Sequence, residues 1–490
     1  MATLSAGANK LSFRTPQAIQ DIYGDRKANM IKGGGIIGLA EQMYPDPSTH
    51  ATSNREVHAG RRRILSQCFS ESALKGQEPY VLQTVQRLIS LLATPSDTNS
   101  DNEEQGWSAP VDMATYSGNF ALDVLGELCF GKSFEALGHS RHFALSAMTE
   151  ASQKALALGA IPNIELLVPL LRQHWLLEKL PAEDLKKGLA YRKMIITLLK
   201  ARVELEKSNK HKPRKDFMHY LMAAVDPATG DKYSEGDLIS ESGVVLTAGT
   251  DTTATALAAT IFYLTRYPHA LKKLQSEVRG AFGNINEIRH GPELTSLIYL
   301  RAVIDESLRM SSPVPDVLSR RVLPGGAKID GQDIPAGTFV GMSMYSVHHN
   351  EDYYPHSFEF LPERWIVPSN NDSPETTSFP FTVTQETIER AKSAFFAFST
   401  GIRGCVGKNM AYLELSVCLA RLVWALDFKI PDDAELAKVG GGGVHRGADG
   451  EIVKGRHREK EYQTWNYFVA DTEGPYVQFR VREGVDLSAA

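Results

Sequence analysis

Cys405 has the setting most suited to chemistry. It lies in Phe398-Ser-Thr-Gly401-Ile-Arg403-Gly404-Cys405-Val-Gly407, directly before a helical pattern that begins near Val406. A thiolate at a helix N-terminus faces unpaired backbone N–H groups and the positive end of the helix dipole, which should lower its pKa. Gly401, Gly404 and Gly407 permit tight turns and close approach to a flat ligand, and Arg403 adds a cation. Cys68 and Cys418 lie on helical patterns without glycines or cations and read as buried structural residues. With only four cysteines and no CxxC pair, a disulfide scaffold or a Cys-rich zinc module is disfavoured. A single anionic sulfur on a glycine-rich loop suits haem iron better than tetrahedral zinc.

Three other groups of residues could serve the same chemistry. Ala248-Gly249-Thr250-Asp251-Thr252-Thr253 sits in the middle of an apolar helical pattern, where threonines beside glycine loosen a helix and a carboxylate is expensive to bury. Either Asp251 faces solvent, or the helix is opened there for a water and a ligand. Glu306 and Arg309 are three apart on one helix face, so an ion pair is possible, and Pro362-Glu363-Arg364-Trp365 follows. His58 and Arg62, four apart in HAGRRRIL, and Arg320 supply cations that would suit carboxylates. Arg321 is nearly as good a candidate as Arg320, and Arg61 and Arg63 read as a solvated helix face.

The pattern FxxGxRxCxG, matched at Phe398, Gly401, Arg403, Cys405 and Gly407, resembles the haem-binding signature of the cytochrome P-450 monooxygenases. Asp251 and Thr252 match the family's oxygen-activating motif, and Glu306, Arg309 and Arg364 match its buried structural cluster. His58, Arg62 and Arg320 match its propionate-binding positions. The resemblance implies a mainly helical α+β fold with a long central helix over the haem and a small β-rich portion. It implies haem b held by the Cys405 thiolate, with Phe398, Arg403 and Gly407 around it. It also implies O2 as co-substrate, electrons from an NADPH-cytochrome P-450 reductase, a lipophilic small-molecule substrate and the endoplasmic reticulum membrane surface. The texts AIQDIYGDR, HAGRRRILSQCFSESALKGQEP, LDVLGELCFGKSF and GKNMAYLEL look most like fungal secondary-metabolism members. Oxidative phenol coupling and a non-catalytic haem binder stay open as alternatives. A rearrangement without oxygen is disfavoured by the intact Asp251–Thr252 pair.

The elements that must position these residues follow from pattern. Helical periodicity runs from about Arg61 to Arg309, broken at Thr94–Gly106, Lys207–Lys215 and Asp226–Lys232. Ser234–Tyr267 reads as one helix with a Ser234–Asp237 capping box, stopped by Pro268. After Pro313, SRRVL, AKIDGQDI and GTFVGMSMYSV read as short strands between Gly and Pro turns. A helix returns at Val406–Leu426, and TWNYFVA and YVQFRVR close the chain around a Glu473-Gly474-Pro475 turn. His348-His349, adjacent on a β-like run, should point to opposite faces, so a metal pair is disfavoured. Gly33–Gly38 satisfies GxGxxG, but Ala28–Ile31 is a poor strand to precede a dinucleotide site. A substrate would meet Gly33–Thr52, Leu246–Ala248, Val314–Val317 and Thr472–Gly474.

The organisation expected is one domain over 1–490, with the family's anchor helix, hinge and first strand absent before Asn9. NKLSF is then an exposed edge strand, and 440–460 a flexible insertion. Residues 242–265 form the longest weakly polar stretch, but Asp251 and the threonines favour a buried core helix over a membrane span. A net charge of −5 argues against a nucleic-acid binder held by phosphate contacts, and the 207–215 basic cluster reads as a solvated loop.

Overall fold

The change of pattern at Pro313 separates two kinds of packing. A computed structural model describes residues 3–7, 9–34, 38–39, 41, 48–95, 106–161, 164, 168, 183–208, 214–367, 380–447 and 450–487. The longer helices are α1 (Arg55–Gln67), α2 (Glu71–Leu92), α3 (Met113–Phe130), α4 (Phe143–Gly159), α5 (Glu183–Lys207) and α6 (Glu235–Arg266). They continue with α7 (Pro268–Ala281), α8 (Ile298–Met310), α9 (Gln385–Ala394) and α10 (Lys408–Ala425). Helix α6 starts at a reciprocal capping box. The Ser234 hydroxyl accepts from Asp237 N at 3.1 Å, and the Asp237 carboxylate accepts from Ser234 N at 3.0 Å. Pro268 then opens α7 at its first turn. From Thr255 to Thr265 every residue of α6 is buried, the mark of a helix surrounded by others. The large core is built on α2, α3, α6, α8 and α10.

The strands are β1 (Thr3–Gly7), β2 (Lys10–Phe13), β3 (Met30–Lys32), β4 (Val111–Asp112), β5 (Arg320–Val322) and β6 (Ala327–Ile329). After these come β7 (Gln332–Ile334), β8 (Phe339–Gly341), β9 (Leu426–Lys429), β10 (Thr464–Tyr467), β11 (Val469–Thr472) and β12 (Tyr476–Val481). The main sheet has the order β1-β2-β8-β5-β3, with β2 and β8 parallel and the other pairs antiparallel. A second core, including Phe13, Tyr23, Val340, Tyr354 and Phe396, packs against it. The cysteine loop runs beside this second core and leads into α10 of the first.

Several expectations change. NKLSF is not an edge, because β1 pairs with it from Thr3↔Phe13 to Gly7↔Lys10. Met30–Lys32 is a strand despite its poor pattern, since Met30↔Val322 pairing supplies what local propensity lacks. TWNYFVA bends on itself at Phe468 to make the β10–β11 hairpin, while β12 pairs with β4 and β9 instead. His348 ends a short helix, Met344–His348, so the β-like reading there was wrong; both histidines are nonetheless buried and structural. The 440–460 segment is tethered. Gly442 N donates to Arg458 O at 3.0 Å and Gly443 N to Arg456 O at 2.7 Å, and side chains at Gly441 or Gly442 would collide with the facing carbonyls. Among the described residues, no helix is long and apolar enough to cross a membrane.

Candidate active site

The cysteine loop is held by one backbone bond and one close approach. Cys405 N donates to Phe398 O at 2.8 Å, closing the loop, and the Phe398 ring packs on Tyr412 with centroids 5.1 Å apart. Gly401 sits at φ 67°, and a Cβ there would strike the carbonyl of Tyr23, so no other residue fits. The Cys405 side chain is exposed. Protein nevertheless surrounds it on most sides, as for a group on the floor of a recess, and this enclosure governs its titration. Burial pushes the thiol up, against the N–H groups of Gly407 and Lys408 and the Arg62 cation. The lowered pKa expected from the helix end is therefore not realised by the chain alone. Desolvation outweighs the dipole, and deprotonation would fall to a bound metal ion.

Four cations converge on His58, and one of them, Arg62, also faces the thiol. Arg62 Nη1 donates to Gly404 O at 2.8 Å, and Lys32 Nζ to His50 O at 2.7 Å. Arg320 Nη1 reaches Ser319 O at 3.1 Å, and Arg403 Nη1 reaches Thr49 O at 3.4 Å. Among the described residues, none of the four makes an ion pair with a carboxylate. Burial and the nearby Arg320 and Arg403 push Lys32 well below its usual value, against the attraction of Glu41. Burial and the cations Arg320, Arg55 and Arg62 bring Arg403 down to about 10, again against Glu41. His58, buried and facing these cations, is held at about 3 and is neutral. It would meet a propionate as a hydrogen-bond donor rather than a cation. On strand β5 Arg320 is buried and Arg321 exposed. A recess with an accessible thiol and several unpaired cations fits a haem, whose metal takes the sulfur and whose two carboxylates take the cations.

Asp251 lies on α6 at a cavity bounded also by Arg141, Thr149, Ser152, Asp471 and Thr472. Burial raises its carboxyl to about 7; Arg141 opposes the shift and Asp471 adds to it. Arg141 and Asp471 pair with each other at 3.0 Å. The solvent-facing reading of Asp251 is thus replaced by a lined cavity. Thr252, about 100° further round the helix, is not part of that lining. Its hydroxyl donates to Ala248 O at 2.7 Å, the back-bond that bends helices. On the next turn of contact, the Thr253 hydroxyl bonds to Glu414 of α10, a fully enclosed carboxyl raised to about 8 by burial. That bond joins the acid–threonine helix to the cysteine helix.

Glu306, Arg309 and Arg364 form the buried cluster expected of them. Arg309 holds Glu306 through two bonds at 2.9 and 2.8 Å, and Arg364 Nε adds a third at 2.9 Å. Trp365 Nε1 and Leu361 N complete the carboxylate at 3.0 Å each. Burial alone would raise Glu306, but the two arginines hold it at about 2.

Some assignments fail. Arg61 is not on a solvated face, being half-buried and paired with Asp237, whereas Arg63 is exposed as expected, although it takes Asp226 through two bonds of 2.7 Å. In the 207–215 cluster Arg214 pairs with Glu127, while 209–213 lie outside the described residues. Leu246, expected to meet substrate, is fully buried in the large core, whereas Ala248 is exposed. The Gly33–Gly38 pattern and most of Gly33–Thr52 fall partly outside the described residues, and Glu56 sits in the first turn of α1, not at a strand end. Lys32, Arg141, Asp471 and Glu414 were not read from sequence. Each stands alone in its local text and is brought to the site by pairing or packing over long separations. Glu414 alone carried a signal, as a carboxylate inside an otherwise apolar helix.

Comparison with known proteins agrees with this geometry. The cytochrome P450 family model matches residues 10–448. The chain is 32% identical to "Cytochrome P450 monooxygenase apf7" of Gibberella fujikuroi, covering 97% of this chain and 85% of that protein. It is 32% identical to "Cytochrome P450 monooxygenase AKT7" of Alternaria alternata, covering 96% and 84%. The crystal structure of a cytochrome P450DA heme domain superposes with TM-score 0.68 at 18% identity, over 99% of this chain and 90% of that one.

Proposed function

The chain belongs to the cytochrome P450 family, and from that premise we propose that it inserts one oxygen atom from O2 into a lipophilic small molecule of fungal secondary metabolism. The observation that carries this reading is the accessible Cys405 thiol, faced by Arg62, together with Lys32, Arg320 and Arg403, which gather with Arg62 around His58 and make no ion pair among the described residues. Haem bound there supplies oxygen activation and the oxidation itself. Cys405 Sγ would hold its iron, and the N–H groups of Gly407 and Lys408 would stabilise the sulfur's negative charge. Lys32, Arg62, Arg320 and Arg403 would receive the carboxylates, with His58 as a neutral donor.

Asp251 holds the proton that the reaction consumes. Its carboxyl stays protonated to about pH 7 because burial disfavours the anion. The cavity beside it offers water a route to recharge it. Thr252 presents its hydroxyl oxygen as an acceptor while its proton is engaged by Ala248 O. Ala248, small and exposed one turn earlier, leaves room for an apolar substrate on that face. Electrons come from an NADPH-dependent reductase at the endoplasmic reticulum surface.

The test is turnover with purified reductase, NADPH and an extract of candidate metabolites under labelled dioxygen. One labelled oxygen atom per product is expected. Coupled dimers without label would replace insertion by phenol coupling, and NADPH left unconsumed would leave only a haem binder.

A further inference from the structure

A buried carboxyl on the first third of α6 does not touch the recess but is tied to it through a single residue. Glu241 is fully buried, and its Oε1 accepts two bonds from Thr49: the backbone N–H at 2.6 Å and the hydroxyl at 2.5 Å. Arg61 Nη1 stands 3.6 Å from the same oxygen. Thr49 begins the turn Ser48–Ala51, closed by Ala51 N donating to Ser48 O at 3.0 Å. The carbonyls of this turn face the other way. Thr49 O accepts from Arg403 and His50 O from Lys32, at 3.4 and 2.7 Å. Two successive peptide carbonyls thus orient two of the four cations, and Glu241 anchors the residue from which they follow, through the Thr49 N–H and hydroxyl. A surface loop needs no such anchor; a loop whose carbonyls must aim two mutually repelling cations does.

We propose that Glu241 is a positioning residue for the cationic cluster: by holding both donors of Thr49 it aims Lys32 and Arg403, and so governs how tightly the chain retains the carboxylates of its haem. The proposal rests on the haem reading above and concerns retention rather than chemistry. Removing the carboxyl frees the turn, lets the two cations move apart, and weakens their grip on the propionates. Glutamine, whose carbonyl oxygen accepts both Thr49 bonds, keeps the turn in place.

The experiment measures transfer of ferric haem from the holoprotein to an excess of apomyoglobin, with native haem and with its dimethyl ester, which lacks carboxylates. Glu241→Ala should release native haem about tenfold faster than wild type, the effect of losing charge-assisted bonds. Glu241→Gln should stay within about twofold. With the dimethyl ester, Glu241→Ala and wild type should release at the same rate. An equal acceleration with the ester would make Glu241 merely structural and overturn the proposal, as would unchanged release of native haem. Should Glu241→Ala fail to fold by circular dichroism, Thr49→Val removes the hydroxyl donor alone. Faster release from that variant with native haem only supports the proposal, and equal rates overturn it. A wild-type chain that takes up neither haem would instead sink the haem reading itself.

Discussion

Two groups of buried charge, the Glu306 cluster and the cations around His58, are built on opposite terms. In the Glu306 cluster every carboxylate lone pair meets a donor: three bonds from two arginines and one each from Trp365 Nε1 and Leu361 N, all between 2.8 and 3.0 Å. Around His58 and the cysteine loop, four cations bond to backbone carbonyls and make no ion pair among the described residues, and neighbouring cations depress Lys32 and Arg403 against a weaker pull from Glu41. The first group is complete within the chain and fixes α8 against the Pro362–Trp365 turn. The second is complete only with a partner of opposite charge. A buried ion cluster that satisfies itself is architecture, whereas one that repels itself marks a binding site.

The largest effect should come from breaking the self-contained group. Glu306→Gln leaves two buried arginines with neutral acceptors and no anion, and loss of about 3–5 kcal/mol is expected by urea unfolding of the haem-loaded protein. Its pH signature has a definite sign. Glu306 is held at about 2, below an unfolded glutamate near 4.3, so its stabilisation is present above that value and is lost as pH falls toward 2. Asp251 runs the other way. Its folded value of about 7 exceeds the unfolded 3.9, so the folded chain binds the extra proton between them and stability declines as pH rises through that window.

Asp251→Asn should lower the rate of product formation by about 10²-fold or more, the scale of general acid–base contributions. In wild type, product per NADPH should fall as pH rises through about 7. Asp471→Asn should move that step to lower pH and Arg141→Gln to higher pH, because the first removes an anion that raises Asp251 and the second a cation that lowers it. A step that ignores both substitutions would detach the cavity from the proton supply. Thr252→Ala should divert electrons into hydrogen peroxide, measured as peroxide released per NADPH.

The self-repelling group should answer with the opposite sign to Glu306. Arg403→Gln should leave the haem-free chain as stable as wild type or slightly more so, on the order of 1 kcal/mol, since it relieves like-charge repulsion. Haem release should quicken by roughly tenfold. Smallest of all, Arg321→Gln should change neither stability nor release measurably, its side chain being exposed on β5.

How much of this was legible beforehand divides along the same line. Phe398, Gly401, Arg403 and Cys405 lie within eight positions, and Glu306 and Arg309 share a helix face, so local spacing exposed them. Asp251 and Thr252 stood out because they are costly in an apolar helix. Lys32 could not stand out: it reaches the site only because β3 pairs with β5, 288 residues further along. Arg61 misled for the matching reason, since Asp237, its ion-pair partner, lies 176 positions away. The thiol's raised pKa was equally hidden. Helix-end electrostatics is a local property that can be read from text, but enclosure by the rest of the chain is not.

The most direct test is the carbon monoxide difference spectrum of the reduced, haem-reconstituted protein. The wild type should absorb where a thiolate-ligated haem does, and Cys405→Ala should lose that band while keeping its fold by circular dichroism. A wild type without the band, or a variant that retains it, would contradict the assignment of Cys405 as the axial ligand.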